Sequence, residues 1–431
     1  MAEPGAAISP MRILLLSYCF PPVPLIEAQV AAKVSGHLGA EVSVDVVAAE
    51  PGLWRLPADH SLDEYVEEAF EPVTRLRRPG MPLLLRTHGR VPFLSERPDA
   101  LTFLNGRVLR EVRRRSIEEY DLLVTRGQFH SIHLVPLRLR QRPPWVAHFS
   151  DPWVGNPTRG DARRVRWINE RKEARVVEAA DRLVFTSATA AEYTVGRYPK
   201  AVRAKTRHVP HCFMPELFER GAAGDSEPGD PRVLARHVGN LRWNRHPEPL
   251  FRALLELERL RPGALAELRV DLLGLISPAM LQGEAARALP DGLLEVSPAV
   301  DYRASLLAMR ESELLLVTET EAARSVDLHA KIVDYTGAGV PIVGIVPPGP
   351  TADLIGALGG WHGHPSHPEQ GAQALLAGLE EAHRRRHTNN PSLWGNPTVR
   401  ARYSAETVGR ELAAVYSECI GRVSTTRGAE K

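Results

Sequence analysis

Lys331 and Asp334 stand three residues apart in His329-Ala330-Lys331-Ile332-Val333-Asp334-Tyr335-Thr336-Gly337-Ala338-Gly339-Val340-Pro341-Ile342-Val343. That stretch reads as a loop, a short helix, a glycine-marked stop and a buried strand. The N–H groups at the helix start, near Ala330 to Ile332, suit an anion or a sugar hydroxyl, and Asp334 lies one turn further on. About 90 residues upstream the chain reads Arg236-His237-Val238-Gly239-Asn240-Leu241-Arg242-Trp243-Asn244-Arg245. This is a strand running into a glycine turn, with Arg242 and Arg245 ahead of an amphipathic helix. An arginine beside the positive end of a helix is electrostatically unfavourable unless an anion is bound there. The expected site is therefore one for a nucleoside diphosphate, built from Gly239, Asn240, Arg242, Arg245, His329, Ala330, Lys331 and Asp334.

A second set of reactive side chains lies in the first half. In His148-Phe149-Ser150-Asp151-Pro152-Trp153, Asp151 follows a strand and is fixed in a loop by proline. It can accept a hydrogen bond from an incoming hydroxyl or cap the next turn. His130 and His133 begin a helix after another strand. Asp151 and His130 are the candidate catalytic residues, and His133 is expected to be packed or solvent-facing. Metal-ligand spacing is absent, with the 16 histidines scattered. Cys19, Cys212 and Cys419 are odd in number and widely separated, with no C-x-x-C, so buried free thiols in a reducing compartment are expected.

These groups need a scaffold larger than one ordinary core. The 431 residues, 43% apolar and 25% charged, suit two globular domains of roughly 200 residues each. No apolar run approaches ~18 residues and no secretory signal opens the chain, so a cytoplasmic protein is expected. Net charge is +2, divided near +6 up to residue 220 and −4 beyond it. The excess gathers at Arg107, Arg110, Arg113, Arg114 and Arg115, and at Arg163, Arg164, Arg166, Arg171 and Lys172. These are either solvated helix faces or a surface for anionic lipid or an acidic acceptor, giving peripheral contact at the inner membrane face. Nucleic acid is not expected, because no aromatic residues interleave with the arginines.

The continuous apolar run from Arg12 to Ser17 marks a central parallel strand. Phe20-Pro21-Pro22 ends it, and a helix over Glu27 to Leu38 and a strand over Val42 to Ala48 complete a parallel crossover. Residues 50–100 show little period. A helix near Leu101 to Arg115 follows, then strands at 121–125, 145–149, 182–187 and 206–213. The segment 221–231 is the expected linker. Beyond it, strands at 233–238, 268–273, 293–296, 314–317 and 341–345 alternate with helices, the clearest at 249–260 and 302–310. A last helix spans 405–419. The resulting expectation is an α/β chain of two Rossmann-like, doubly wound domains facing an interdomain cleft, with boundaries 1–220, 232–400 and a C-terminal helix and tail over 401–431, expected to return to the first domain.

The paired units resemble the donor-binding half of GT-B glycosyltransferases, most closely the retaining family-four group that uses nucleotide-sugars, and the resemblance covers nearly the whole chain. In that family a basic residue follows the glycine of the first unit by six positions, here Arg245. The second unit is often Pro-Ser-Lys-hydrophobic-hydrophobic-Glu-Tyr-Leu-Ala-Ala-Gly, which makes Asp334 the acid that would hold the ribose hydroxyls. Many members carry a first Glu eight residues earlier, where this chain has Val326; Asp327, Glu321 and Glu319 are the substitutes at hand. Ser150-Asp151-Pro152-Trp153 is similar to a segment lining the acceptor side. Many relatives also place Gly-Gly after Phe-Pro-Pro, whereas this chain has Val23-Pro24-Leu25-Ile26-Glu27. The first domain is thus expected to serve the acceptor more than the phosphates, with Glu27 and Ser150 facing it.

The resemblance implies transfer of a sugar from a UDP-, GDP- or dTDP-sugar, used as co-substrate, to a small-molecule or lipid-linked acceptor hydroxyl. It implies retention of configuration and no tightly bound cofactor. A nucleotide-sugar epimerase and a non-catalytic relative binding a nucleotide-sugar or partner protein stay open as alternatives.

Overall fold

The computed structural model describes residues 10–54, 56–77, 98–156, 163–219, 230–241, 246–388 and 392–429. Arg242, Arg245 and residues 221–229 of the expected linker lie outside them. Contacts divide the chain into two compact units. One comprises Met1–Gly155, Asp161–Val209 and Val408–Lys431; the other comprises Asn156–Gly160 and Pro210–Thr407.

The first unit is built on a seven-stranded parallel sheet of order β3-β2-β1-β4-β5-β6-β7. The strands are β1 (Met11–Ser17), β2 (Val42–Ala49), β3 (Thr74–Leu76), β4 (Leu122–Gly127), β5 (Trp145–Phe149), β6 (Arg182–Phe185) and β7 (Thr206–His208). Both faces of the central strands are covered, which is why β1, β4 and β5 carry consecutive apolar residues, at 13–16, 122–124 and 145–147, instead of alternating. Helix α1 (Ile26–Ser35) follows β1, and α2 (Asn105–Arg114) precedes β4 after a 3-10 turn at Thr102–Leu104. Trp145, Phe149 and Phe185 lie at the centre of its core.

Two expected strands stop early for local reasons. The run at 182–187 ends at Phe185 because the Ser187 hydroxyl accepts from the Ala190 N–H at 3.0 Å and caps the next helix. The run at 206–213 ends at His208, just before Pro210, which has no N–H to continue a ladder. Between residues 50 and 100, β3 and a short helix at Asp63–Ala69 stand where the sequence shows little period.

The second unit is built on a six-stranded parallel sheet of order β10-β9-β8-β11-β12-β13. Its strands are β8 (Val233–Val238), β9 (Leu268–Leu273), β10 (Leu294–Ser297), β11 (Leu314–Thr318), β12 (Ile342–Ile345) and β13 (Trp361–Gly363). The helices used below are α3 (Glu248–Leu260), α4 (Tyr302–Glu311) and α5 (Ala330–Ala338). Gly339 at φ 65° ends α5, its N–H bonded to the Tyr335 carbonyl. The last helix, α6 (Ala405–Ala429), runs ten residues beyond the expected stop, and from Val408 on it packs in the first unit. There Glu418 pairs with Arg182 and Arg207.

In both sheets the chain winds outward in one direction and then returns to the other side of the first strand. This creates switch points between β1 and β4 and between β8 and β11. Open parallel sheets bind ligands beyond the carboxyl ends of the strands at such points.

Candidate functional site

At the second unit's switch point, β8 runs into Gly239 at φ 128°, a conformation that strains any side chain. Its N–H bonds the Leu273 carbonyl at 2.8 Å, and the Asn240 side-chain oxygen accepts from the Leu275 N–H at 2.8 Å. A Cβ on Gly274 would lie 2.5 Å from the Gly239 carbonyl oxygen, so the turns after β8 and β9 require two glycines in contact.

Helix α5 is fixed to this turn by Tyr335. Its buried hydroxyl accepts from the Val238 N–H at 2.7 Å and lies 3.2 Å from the Leu316 carbonyl as donor. Burial raises the Tyr335 pKa, keeping that proton in place. Lys331, in the first turn of α5, extends its ammonium to 3.0 Å from the point a Gly239 Cβ would occupy. His329 is the N-cap, and its Nε2 is 3.1 Å from Glu319 Oε1 just after β11. The Ile332 N–H bonds the His329 carbonyl at 3.2 Å. That bond opens the ladder of α5, so the Ala330 and Lys331 amides lie ahead of it at the helix start. Asp334 is buried one turn on and accepts from the Tyr302 hydroxyl of α4 at 3.0 Å.

The structure thus brings Gly239, Asn240, His329, Ala330, Lys331 and Asp334 to one end of one sheet. Of the acids near position 326, Glu319 touches a candidate donor residue. Asp327 accepts instead from the Asn156 side chain, at 3.1 Å, and Glu321 is exposed. Val326 is buried.

In the first unit, Glu27 in the opening turn of α1 is buried against Ser150, whose hydroxyl donates to it. Arg126 at the end of β4 lies 3.4 Å from the same carboxylate oxygen and donates to His148 at 2.9 Å. Arg126 and His148 are register partners on β4 and β5, so their side chains share a sheet face. Burial pushes the Glu27 carboxyl up to about 7; the Arg126 charge and the Ser150 hydrogen bond oppose that rise, and the Asp151 charge adds to it. Glu27 can therefore exchange a proton near neutrality.

His130 follows Phe129, whose φ of 66° is the one positive value outside glycine among the described residues. The imidazole of His130 stacks on Trp153 at 5.3 Å and 7°. His133 is fully buried and its pKa lies well below the usual range, chiefly through burial. The Thr125 hydroxyl accepts from the Trp145 indole at 2.8 Å and shares a hydrogen bond with His133 Nδ1, also at 2.8 Å. His133 is thus a packed core histidine. Sequence reasoning did not single out His237, Tyr302, Tyr335 and Arg126. Their common signal is a polar residue inside an apolar strand or on the core face of a helix.

No family model matches the chain, and no curated protein matches it in sequence. Solved structures do match in fold. Sucrose-phosphate synthase from Thermosynechococcus elongatus aligns with a TM-score of 0.63 at 16% identity over 96% of this chain and 100% of that one. Anabaena HepE in complex with UDP and glucose aligns at 0.62 and 14% identity, over 94% and 99%. The α,α-trehalose 6-phosphate synthase of Burkholderia multivorans aligns at 0.61 and 14%, over 97% and 98%. At these identities the likeness shows the architecture, two Rossmann-like domains of GT-B type.

Proposed function

We propose that the protein is a GT-B glycosyltransferase of the retaining, family-four kind, moving a sugar from a nucleoside diphosphate to an acceptor hydroxyl without a tightly held metal. The observation that carries this reading is the convergence of the Gly239 turn, Lys331 and the start of α5 at the switch point of the second sheet. A leaving nucleoside diphosphate needs positive charge and N–H dipoles where its charge develops. Lys331, Arg242, Arg245 and the amides near Ala330 supply them. Asp334 takes the ribose hydroxyls, and Gly239, Asn240 and His329 line the donor. Glu319 stands in for the first Glu of the family pattern as the sugar contact. HepE, crystallised with UDP and glucose, makes a UDP-sugar a reasonable first donor to try.

Acceptor recognition falls to the first unit. Asp151 and His130 meet the incoming hydroxyl, and Glu27 with Ser150 forms the polar wall behind them. The acceptor is a small molecule or a lipid-linked one, the latter reached from the inner membrane face through exposed Arg110, Arg113 and Arg114. No helix among the described residues is long and apolar enough to cross a membrane.

The test is incubation with UDP-, GDP- and dTDP-sugars and a panel of acceptors, following nucleoside diphosphate release and the anomeric configuration of the product by NMR. Release with the donor's configuration kept supports the reading. An inverted product overturns retention, and tight donor binding with no release across the panel points to a non-catalytic relative.

A further inference from the structure

His237 is the penultimate residue of β8 and is fully buried. Its Nδ1 is 3.1 Å from the Leu316 carbonyl oxygen on the neighbouring strand β11, and its Nε2 is 3.0 Å from Lys331 Nζ. A carbonyl only accepts and an ammonium only donates. The arrangement that satisfies both is a neutral imidazole with its proton on Nδ1, donating to Leu316, and its lone pair on Nε2, accepting from Lys331. Moving a proton from lysine to histidine would oppose the ordinary order of their basicities.

We propose that His237 is a positioning residue that holds the Lys331 ammonium over the Gly239 turn, where a diphosphate would meet it. The inference rests on the donor-site reading of Lys331 given above. A lysine charge rides on a flexible four-carbon stem, and each anion contact costs the entropy of fixing it. An acceptor rooted in the sheet fixes that charge before the ligand arrives. Because Nε2 accepts only, it engages a single one of the three N–H donors of the ammonium. Glycine at 239 leaves room for it, since a Cβ there would come within 3.0 Å of the nitrogen.

The two amide analogues of histidine separate this role from simple packing. His237→Asn keeps a donor at the Nδ1 position for Leu316 but does not reach Lys331. His237→Gln places an acceptor oxygen at the reach of Nε2. Whichever of UDP, GDP and dTDP binds the wild-type protein most tightly is titrated calorimetrically against these variants, Lys331→Met and the His237→Asn/Lys331→Met double variant, with circular dichroism checking each fold.

Lys331→Met is expected to weaken binding about 10- to 100-fold, and His237→Asn about tenfold. His237→Gln should stay within about threefold of wild type, and His237→Asn should add nothing in the Lys331→Met background. The matching nucleoside monophosphate should lose less than the diphosphate. The proposal is overturned if His237→Asn binds like wild type, if His237→Gln is as weak as His237→Asn, or if the Asn and Met losses multiply. Should Lys331→Met itself bind like wild type, or no diphosphate bind at all, the donor-site reading fails and the role of His237 goes with it.

Discussion

The Tyr302 hydroxyl on α4 donates to Asp334 Oδ1 on α5 at 3.0 Å, so the acid proposed to hold the ribose is oriented from a neighbouring helix. Asp334→Asn keeps the shape but removes the negative acceptor. Nucleoside diphosphate affinity should fall by about 1–3 kcal/mol, and pyrophosphate affinity should not change. Tyr302→Phe should produce a smaller loss of the same pattern. Calorimetry with both ligands checks this; equal loss of pyrophosphate would make Asp334 a support for the helix start and not a ribose contact.

Gly239 combines a φ of 128° with an ammonium 3.0 Å from the point its Cβ would occupy. Gly239→Ala is expected to lower stability by about 1–3 kcal/mol through backbone strain alone. It should also push Lys331 aside and weaken diphosphate binding. Urea unfolding reads the first effect and calorimetry the second. Unchanged affinity in a destabilised protein would separate the turn from the ligand.

Arg245 stands three residues ahead of α3 in the sequence and is proposed as a diphosphate contact. Arg245→Ala should weaken nucleoside diphosphate binding by about 1.5–3 kcal/mol, the range of a charge-assisted hydrogen bond, and leave circular dichroism unchanged. A titration indistinguishable from wild type would remove Arg245 from the site.

Much of this architecture is legible in the sequence because parallel strands covered on both faces are written as unbroken apolar runs. β1 and β11 fall at Met11–Ser17 and Leu314–Thr318, on the runs read at 12–17 and 314–317. The glycine turn and the start of α5 were legible too, because glycine and helix-start residues are local signals. What escaped is set by long-range contact. β3 is three residues long and is defined by its register with β2, not by any period of its own. His237 looks like any strand residue until β11 and Lys331 close on it from about 80 and 94 positions away. Arg126 likewise reads as the end of an apolar strand, and its relation to Glu27 arises only when α1 folds over the sheet.

Glu27 makes a prediction with a definite sign. Its folded pKa of about 7 lies above the ordinary 4.5, so between those values the folded state holds a proton that the unfolded chain has released. Stability should therefore fall as pH rises through that window, by on the order of 3 kcal/mol from this group. Glu27→Gln should flatten the dependence, measured by urea unfolding at intervals from pH 5 to 8. Asp99 and Glu173 are also raised by burial, but they remain in both proteins and cancel in the difference. Ser150→Ala removes a hydrogen bond that lowers the Glu27 pKa, so the upper end of the window should move to higher pH. Identical slopes for wild type and Glu27→Gln would mean that Arg126 keeps the carboxylate ionised throughout.

The basic face of α2 bears on where the acceptor resides. Arg115 is committed internally, bonding Glu111 and, at 2.8 Å, the Thr74 hydroxyl, so replacing it would disturb the fold. Arg110, Arg113 and Arg114 are exposed, although Arg113 donates to the Arg138 carbonyl and Arg114 lies 3.7 Å from Glu111. If the acceptor is lipid-linked, these three should draw the protein to anionic vesicles, at about 1 kcal/mol per basic residue near the surface. Replacing them together with glutamine should abolish vesicle co-sedimentation while leaving transfer to a small soluble acceptor intact. Wild-type binding should also weaken with added salt as the screening length shrinks. A wild-type protein that stays in the supernatant with phosphatidylserine vesicles at low ionic strength would make the arginines a solvated helix face. A soluble acceptor would then be the one to pursue.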